Sequence, residues 1–365
     1  MKILYLITGL HTGGAEMLIR DICERVDKDT FEIIVVSVLP IGEIGDQIKR
    51  AGTRVISLDV ASKFNPLSFW KLRRILKTEK PDILHTHLFH ADILGRIAGS
   101  LTRIPINIST IHNMEFGGSI RERLLRWTRS LVDKNIAVSK MVADNAVKKG
   151  IVSKDKVQVI YNGIDLEKFP DKNKKEMRER LNIPQEMEVF VSVGSLTQQK
   201  GYQYLIQAVD SIEAQALFII LGEGAEREKL EIQIKEHGLQ GIVILKGNVD
   251  NVNEYLQAAD YFVMPSLWEG FSVALLEAAW AGKIIIATDV GGNGEIIKDA
   301  ETGFLIPSKD SKSLTKKINN VLSLPAEEKN HISQQAQKAV KEKFSINNMV
   351  EKHERVYLEL DKKYE

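Results

Sequence analysis

A chain of 365 residues is too long for one ordinary hydrophobic core and predicts two domains of about 150 to 200 residues each. Its 44% hydrophobic and 27% charged residues exclude a disordered or fibrous chain, the single Cys23 excludes an intrachain disulfide, and no stretch approaches the ~20 apolar residues of a membrane span. The net charge of +1 is unevenly spread, because residues 1–168 hold 26 Lys and Arg against 19 Asp and Glu, whereas residues 169–365 hold 24 against 30.

The first half of the chain alternates short β-rich runs with segments of helical spacing. The runs are KILYLIT, FEIIVVSV, RVISL, DILHT, INISTI and NIAVS. This alternation predicts βαβ units and a parallel sheet that helices cover on both faces. The start, MKILYLITGLHTGG, has the pattern of a first strand and not of a secretory signal, so we expect a cytoplasmic protein.

Two helical segments of this half interleave Arg and Lys with Trp and Leu. They are FWKLRRILK, residues 69–77, and SIRERLLRWTRSLVDK, residues 119–134. The composition is typical of a helix that lies on an anionic membrane, and equally of a solvated helix face over a core stripe. The membrane interpretation predicts one face formed by Trp70, Trp127, Arg73, Arg74, Arg121, Arg123, Arg126 and Arg129.

The alternation pauses at VIYNGIDLEKFPDKNKKE, residues 159–176, where Asn-Gly, a Pro and a charge run predict a linker. Six β-rich runs follow: VFVSVG, ALFIILG, IVILKG, YFVMPS, KIIIAT and GFLIP. The sequence thus predicts an α/β protein with two tandem Rossmann-like, doubly wound domains, residues 1–165 and 166–345, that face a cleft. The carboxyl-terminal helix, residues 346–365, is expected to pack back on the first domain.

The segment LWEGFSVALLEAAWAG, residues 267–282, carries Glu269 and Glu277 among apolar residues. A carboxylate removed from water costs several kcal/mol without a hydrogen-bonding or positive partner, so each glutamate needs one. Ser272 is a suitable N-cap for a helix that starts beside Glu269, and such a helix end favours an anion. The arrangement suits a sugar, a diphosphate and a ribose; the alternative is a capping glutamate and a partly exposed helical glutamate.

Six further motifs fall in order on the predicted strands and turns. They are TGGAE (12–16), STIHN (109–113), YNGID (161–165), VGSLTQQKG (193–201), LGEG (221–224) and GFLIP (303–307). Together with the E-x7-E pattern of Glu269 and Glu277, they make the chain resemble the retaining, nucleotide-sugar-dependent glycosyltransferases of family 4. The resemblance covers nearly the whole chain and implies the GT-B fold of two facing Rossmann-like domains.

The resemblance also implies roles for single residues. Glu269 would bind hydroxyls of the donor sugar, Glu277 the ribose, and Lys200 the leaving diphosphate; an ordinary solvated lysine is the alternative for Lys200. The family commonly has an arginine where this chain has Ser195, so half of the usual cationic clamp is missing. The expected donor-binding set is Gly14, Gly194, Ser195, Lys200, Gly222, Gly224, Asn248, Glu269, Gly270, Phe271, Ser272, Val273 and Glu277, with backbone amides of residues 271–273 around the diphosphate.

In the first domain, Gly13 and Gly14 form a strand-to-helix turn. Without side chains there, the backbone could approach a phosphate closely; the alternative is an ordinary tight turn. Glu16 follows at the helix start and is assigned to the acceptor side, although an acid there needs no function. His112 matches the family histidine that lies against the donor sugar. We therefore expect His112, Glu269 and Lys200 to be the catalytic residues.

The segment HTHLFHAD places His85, His87 and His90 close together, and the first two share a strand face. Three histidines could ligate a metal, but contact with the acceptor is the favoured interpretation. The only Asp-x-Asp triplet, residues 27–29, lies in a polar turn, so we expect metal-independent chemistry.

These features predict a retaining transferase that moves a hexose or N-acetylhexosamine from a nucleoside diphosphate sugar, with UDP favoured, to a glycan or polyprenyl-diphosphate-linked hydroxyl in surface polysaccharide synthesis. We expect no cofactor and no nucleic acid partner. We do expect peripheral contact with the inner face of an anionic membrane. A sugar-nucleotide epimerase of the same fold and a GDP-mannose-dependent mannosyltransferase are the alternatives. A nicotinamide oxidoreductase is disfavoured because TGLHTGGAE does not fit Gly-x-Gly-x-x-Gly.

Overall fold

The computed structural model describes residues 1–364 except residues 12, 64, 170–172 and 213, and the side chains of residues 363 and 364 are likewise not described. Thr12 of the TGGAE motif and residues 170–172 of the predicted linker therefore lie outside the described residues. The chain divides into two compact units. The first unit comprises Met1–Asn162 and Ile346–Glu365, and the second comprises Gly163–Ser345.

The first unit contains a seven-stranded parallel sheet in the order β3-β2-β1-β4-β5-β6-β7. The strand order reverses between β1 and β4, which is the topological switch point of a doubly wound sheet. Six strands fall on the predicted runs, and β7 lies at the edge of the predicted linker. The strands are β1 (Lys2–Ile7), β2 (Glu32–Ser37), β3 (Arg54–Ser57), β4 (Ile83–His87), β5 (Ile106–Ile111), β6 (Lys134–Ala137) and β7 (Val157–Val159).

Helices cover both faces of this sheet, which explains why its strands are almost continuously apolar. Along β1, Tyr5 and its neighbours on one face join the core beneath the first two helices, whereas Leu4 and Leu6 join a separate core beneath the third and fourth. The helices are α1 (Gly14–Arg25), α2 (Glu43–Arg50), α3 (Leu67–Glu79), α4 (Phe89–Thr102), α5 (Ser119–Trp127) and α6 (Lys140–Lys148).

The second unit repeats the doubly wound pattern with six parallel strands in the order β10-β9-β8-β11-β12-β13, so its switch point lies between β8 and β11. Its strands are β8 (Glu188–Val193), β9 (Ala216–Leu221), β10 (Val243–Gly247), β11 (Tyr261–Met264), β12 (Ile284–Thr288) and β13 (Phe304–Ile306). Its helices are α7 (Lys174–Leu181), α8 (Tyr202–Val209), α9 (Arg227–Glu236), α10 (Val252–Ala258), α11 (Val273–Trp280), α12 (Asn293–Ile296), α13 (Ser311–Leu322) and α14 (Ala326–Lys343).

The last helix, α15 (Ile346–Tyr364), belongs to the first unit. It packs against α1, and Ile346, Met349, Val350 and Tyr357 are buried in the same core as β1. The end of the chain is thus part of the unit in which the chain begins. Across the described residues, none of the helices is both long and apolar enough to span a membrane.

Candidate active site

The switch point of the second unit brings two loops together. One loop follows β8 and ends in a short 3₁₀ turn, Gln198–Lys200, and the other follows β11. The backbone N–H of Leu267 donates to the carbonyl oxygen of Gln199 at 2.7 Å, which joins the loops directly. In doubly wound sheets, ligands bind outside the carboxyl ends of the strands at this point.

The centre of this region is a buried ion pair between Lys200 and Glu269. The Lys200 Nζ and Glu269 Oε1 atoms lie 2.6 Å apart, and the Ser266 hydroxyl donates to the same oxygen at 2.7 Å. The Gln199 side-chain amide donates to Oε2 at 3.4 Å, and Glu269 is only 5% exposed. The positive partner that a buried Glu269 requires is therefore Lys200, a pairing that the sequence motifs did not indicate.

The helix α11 begins directly after Glu269, as predicted. Ser272 is its N-cap, and its side-chain oxygen accepts from the N–H of Leu275 at 3.4 Å. The carbonyl oxygen of Gly270 accepts from Gly292 N–H at 3.1 Å, which ties the loop before the helix to the loop after β12. Glu277 is half-buried within α11. The free N–H groups of such a helix start can bind a phosphate.

The remaining expected donor residues differ in their surroundings. Gly222 has φ +140°, and an added Cβ would lie 2.1 Å from the carbonyl oxygen of Gly194, so close backbone contact explains this glycine. A Cβ added at Gly224 would likewise lie 2.3 Å from the carbonyl oxygen of Leu196. Ser195 is exposed, with its hydroxyl 3.4 Å from that of Thr197. Asn248, which follows β10, is exposed, and Val273 is half-buried. Phe271 is buried against the ring of Phe344.

Sequence reasoning missed three residues that build this site. Ser266 and Gln199 hold the Glu269 carboxylate, and Gly291, with φ +53°, leaves room for the carbonyl oxygen of Glu269, because a Cβ there would lie 1.9 Å from it. The Gly-Gly pair of residues 291–292 was the available sign, since consecutive glycines after a strand mark a close backbone approach.

In the first unit, Gly14 is the exposed first residue of α1. The Glu16 carboxylate lies against Gly13, the residue before this helix. A Cβ at Gly13 would lie 2.3 Å from Glu16 Oε2, so glycine makes this fold possible. Burial raises the pKa of Glu16.

Histidines gather where β4 and β5 end. His85 and His87 are completely buried, and His85 is bonded through Nδ1 to the Tyr357 hydroxyl at 2.9 Å and through Nε2 to Thr110 at 2.7 Å. His87 Nδ1 lies 3.0 Å from Nε2 of His112. Both rings are 0% exposed in the folded chain, and their expected place on the acceptor side stays a prediction.

Burial keeps these imidazoles neutral. It lowers the pKa of His112 to about 4, that of His353 in α15 to about 4, and those of His85 and His87 well below the ordinary value. His90 lies in the first turn of α4, half-buried beside Phe89. In the part of the chain that the structure describes, no group of three or more His, Cys, Asp or Glu residues is arranged to hold a metal ion.

The chain has two tandem doubly wound units, and the second has a lysine, a buried glutamate and a helix start at its switch point. These features are typical of GT-B glycosyltransferases. Residues 12–168 match the family described as Glycosyltransferase Family 4, and residues 173–339 match the Glycosyl transferases group 1. The chain belongs to glycosyltransferase family 4, and it is a glycosyltransferase.

Individual relatives agree with this assignment. The chain is 31% identical over 310 residues, 80% of its length and 79% of the relative's, to the UDP-Gal:alpha-D-GlcNAc-diphosphoundecaprenol alpha-1,3-galactosyltransferase of Escherichia coli. It is 26% identical over 265 residues, 71% of each chain, to the N-acetylgalactosamine-N,N'-diacetylbacillosaminyl-diphospho-undecaprenol 4-alpha-N-acetylgalactosaminyltransferase of Campylobacter jejuni. The crystal structure of Anabaena HepE in complex with UDP matches 98% of this chain and 100% of its own, with a TM-score of 0.88 and 22% identity, which confirms the predicted GT-B fold.

Proposed function

We propose that this glycosyltransferase moves a hexose or an N-acetylhexosamine from a UDP-sugar to a hydroxyl of a glycan or polyprenyl-diphosphate-linked acceptor, with retention, in surface polysaccharide synthesis. The observation that carries the proposal is the Lys200–Glu269 pair, 2.6 Å apart, beside the start of α11. The choice of substrates is supported by the name of the E. coli relative, which states a UDP-Gal donor and an alpha-D-GlcNAc-diphosphoundecaprenol acceptor, and by the UDP complex of HepE.

The donor would lie across the switch point of the second unit. Lys200 carries three N–H donors, so it can hold Glu269 and a diphosphate oxygen at the same time. The N–H groups of residues 271–273 would bind the same diphosphate. Glu269 would accept hydrogen bonds from the sugar hydroxyls, and Glu277, further along α11, from the ribose.

Transfer would proceed on one face of the sugar. The acceptor oxygen forms its bond to the anomeric carbon on the side from which the diphosphate leaves, the carbon–phosphate oxygen bond breaks, and the acceptor proton passes to the leaving phosphate. No protein nucleophile takes part. Lys200 and the helix start stabilise the charge that develops on the diphosphate, and we therefore propose that the reaction needs no divalent metal.

The first unit would supply the residues on the acceptor side. We place His112 against the donor sugar near the reacting carbon, and Gly13, Glu16 and His90 beside the acceptor. The raised pKa of Glu16 keeps a larger protonated fraction than an exposed glutamate has, which suits a group that hydrogen-bonds a neutral hydroxyl.

A lipid-linked acceptor requires an enzyme that works at a membrane surface. Trp70 and Trp127 are 62% and 85% exposed, and α4, which packs against both α3 and α5, exposes Leu101. Arg73 lies over the Trp70 ring at 5.9 Å. Exposed aromatic and basic side chains on neighbouring helices suit peripheral binding to an anionic bilayer, and we propose the inner face of the cell membrane as its place.

A thermal-shift comparison of UDP, GDP and ADP tests the donor assignment. At 100 times its dissociation constant a ligand adds ~2.7 kcal/mol, which for a unit of this size raises Tm by roughly 5 to 10 °C. We expect this shift with UDP and smaller ones with GDP and ADP, and we expect it to persist in excess EDTA. A larger shift with GDP would favour the mannosyltransferase alternative, and a UDP shift lost in EDTA and restored by Mg²⁺ would contradict metal-independent binding.

A further inference from the structure

His87 and His112 are joined by a hydrogen bond that no motif indicates. β4 and β5 are neighbouring parallel strands in which His87 is paired with Thr110, so the strand ends bring His112 beside it. The Nδ1 atom of His87 and the Nε2 atom of His112 are 3.0 Å apart. Since His87 is completely buried and His112 is half-buried, any effect of His87 on a ligand must act through His112.

A neutral imidazole has one N–H and one bare nitrogen, so this bond couples the tautomers of the two rings. If His87 donates from Nδ1, His112 accepts at Nε2 and must carry its own proton on Nδ1. If His112 donates from Nε2, His87 must carry its proton on Nε2. Burial lowers the pKa of both histidines, so a doubly protonated ring does not arise near pH 7.

The surroundings of His87 favour the first arrangement. Its Nε2 atom is buried without a hydrogen-bond partner among the described residues. In the second arrangement this atom would be a buried N–H without an acceptor, a group that folded proteins rarely tolerate. The rings of Tyr5, at 5.5 Å, and His85, at 4.5 Å between centroids, pack against His87 and hold its plane in place.

We propose that His87 is a positioning residue that fixes the ring of His112 in the tautomer with its proton on Nδ1, so that His112 presents an N–H donor to an oxygen of the bound sugar. Among the described residues, the hydrogen bond of the His112 ring is the one to His87 through Nε2, and the side chain is partly exposed, so Nδ1 remains available to a ligand. The role of that donor rests on the proposed glycosyl transfer; the tautomer itself does not.

Three variants separate positioning from simple packing. His87→Leu removes the hydrogen bond but keeps an apolar side chain of similar size. His87→Asn retains an amide N–H at about the place of Nδ1. His353→Leu is the matched control, since His353 is another buried histidine with an unpartnered Nε2, and its Nδ1 is 2.9 Å from the Met349 carbonyl oxygen rather than bonded to His112.

The direct measurement is the long-range ¹H–¹⁵N NMR spectrum of the histidine-labelled full chain, with His112→Gln used to assign the His112 signals. We expect the Nδ1–H tautomer of His112 in the unaltered chain, in His87→Asn and in His353→Leu, and its loss in His87→Leu. An Nε2–H tautomer in the unaltered chain would overturn the proposal. This spectrum needs no substrate, so it decides the tautomer even if UDP-sugar transfer is not the activity.

Steady-state kinetics then measure how much the His112 N–H contributes to the rate of transfer. We expect His87→Leu to lower kcat by roughly 10- to 100-fold, as the loss of a partner that orients a metal-bound histidine does, with the KM for the UDP-sugar changed by less than about 3-fold. His87→Asn should recover most of this loss. Equal kcat values for His87→Leu and His353→Leu would refute a role in transfer while leaving the proposed function intact.

Discussion

Glu269 and Lys200 each neutralise the buried charge of the other. The carboxylate is 5% exposed, and its Oε1 accepts from both the lysine and Ser266. A buried pair adds little net stability, but removing one partner leaves an uncompensated charge and costs about 3 to 5 kcal/mol. A loss of activity in a Lys200 or a Glu269 variant would therefore mix unfolding with a lost role in transfer, so the stability of each variant has to be measured beside its activity.

Alanine variants should separate the roles of the two glutamates. If Glu277 binds ribose hydroxyls equally in the ground and transition states, Glu277→Ala should weaken UDP binding by roughly 10- to 150-fold, the value of a charge-assisted hydrogen bond of ~1.5 to 3 kcal/mol. Glu269→Ala should instead lower kcat strongly with little change in UDP affinity, because positive character develops on the sugar only during transfer. Calorimetry with UDP and steady-state kinetics provide the comparison.

The control for this pair is Glu301→Ala, which removes an exposed carboxylate 3.5 Å from Lys298 and should change neither value. Denaturant unfolding of each variant shows whether the fold is retained. Loss of UDP binding in a folded Glu269→Ala, with Glu277→Ala unaffected, would reverse the proposed placement of the donor along α11.

Among the elements, α3 and α5 show that a core stripe and an exposed apolar surface can coexist on one helix. Leu72 and Leu76 of α3 are buried against the sheet, whereas Trp70 on the same helix is 62% exposed. In α5 only Leu125 is buried, and Trp127 is 85% exposed. The core-stripe interpretation is thus correct for part of α3, but it leaves both tryptophans unexplained.

Charge reversal on α5 tests the membrane surface. Arg123 and Arg126 are both exposed, and each basic residue near an anionic bilayer is worth ~1 kcal/mol, so removing the two charges should weaken vesicle binding by at least about 30-fold. We expect the chain to pellet with phosphatidylserine-containing vesicles at low salt and Arg123→Glu/Arg126→Glu to stay in solution. Sedimentation at increasing salt should release the unaltered protein, because surface charges are screened.

The matched control is Lys312→Glu/Lys316→Glu, an equal charge reversal on exposed residues of α13 in the second unit. Its vesicle binding should resemble that of the unaltered chain more than that of the α5 variant. Equal pelleting with neutral and anionic vesicles, or none at low salt, would contradict the membrane surface and favour an acceptor in solution.

At the scale of the whole molecule, the chain ends in the unit where it starts. Tyr357 of α15 is completely buried, and its hydroxyl bonds both the Tyr5 hydroxyl in β1 and His85 in β4. The tail helix therefore closes the first core with apolar side chains and with a polar network at its centre. Removing this network should destabilise the first unit and leave the proposed nucleotide site of the second unit unchanged.

Tyr357→Phe tests this role of the tail. It leaves two buried polar groups without a partner, each at a cost of about 1 to 3 kcal/mol, so we expect the free energy of unfolding to fall by about 2 to 6 kcal/mol. Leu358→Ala, a change at the neighbouring position, which is 40% exposed, should cost much less. Denaturant unfolding measures both, and UDP calorimetry should give the same affinity for both; a Tyr357→Phe chain of full stability would show that the network contributes nothing.

The secondary structure and the class of protein could be predicted from the sequence. Twelve of the thirteen strands fall on predicted β-rich runs, because strands covered on both faces must be apolar throughout. Ser272 was identifiable as an N-cap because capping depends only on neighbouring residues. The strand β7 was missed because its three residues are too short to show a periodicity beside the turn residues that follow.

Which side chains contact one another could not be predicted, because it depends on how the strands are arranged in each sheet. Lys200 and Glu269 are 69 positions apart, and His87 and His112 are 25 apart, yet each pair forms one hydrogen bond. The sequence assigned Lys200 to the diphosphate, Glu269 to the donor sugar and His87 to the acceptor side, but it gave no sign of the contacts that these side chains make. Periodicity records how each segment folds, but it contains neither the strand order nor the register of the sheet. Those two quantities determine which loops leave the sheet side by side, and hence which charges and rings are buried together.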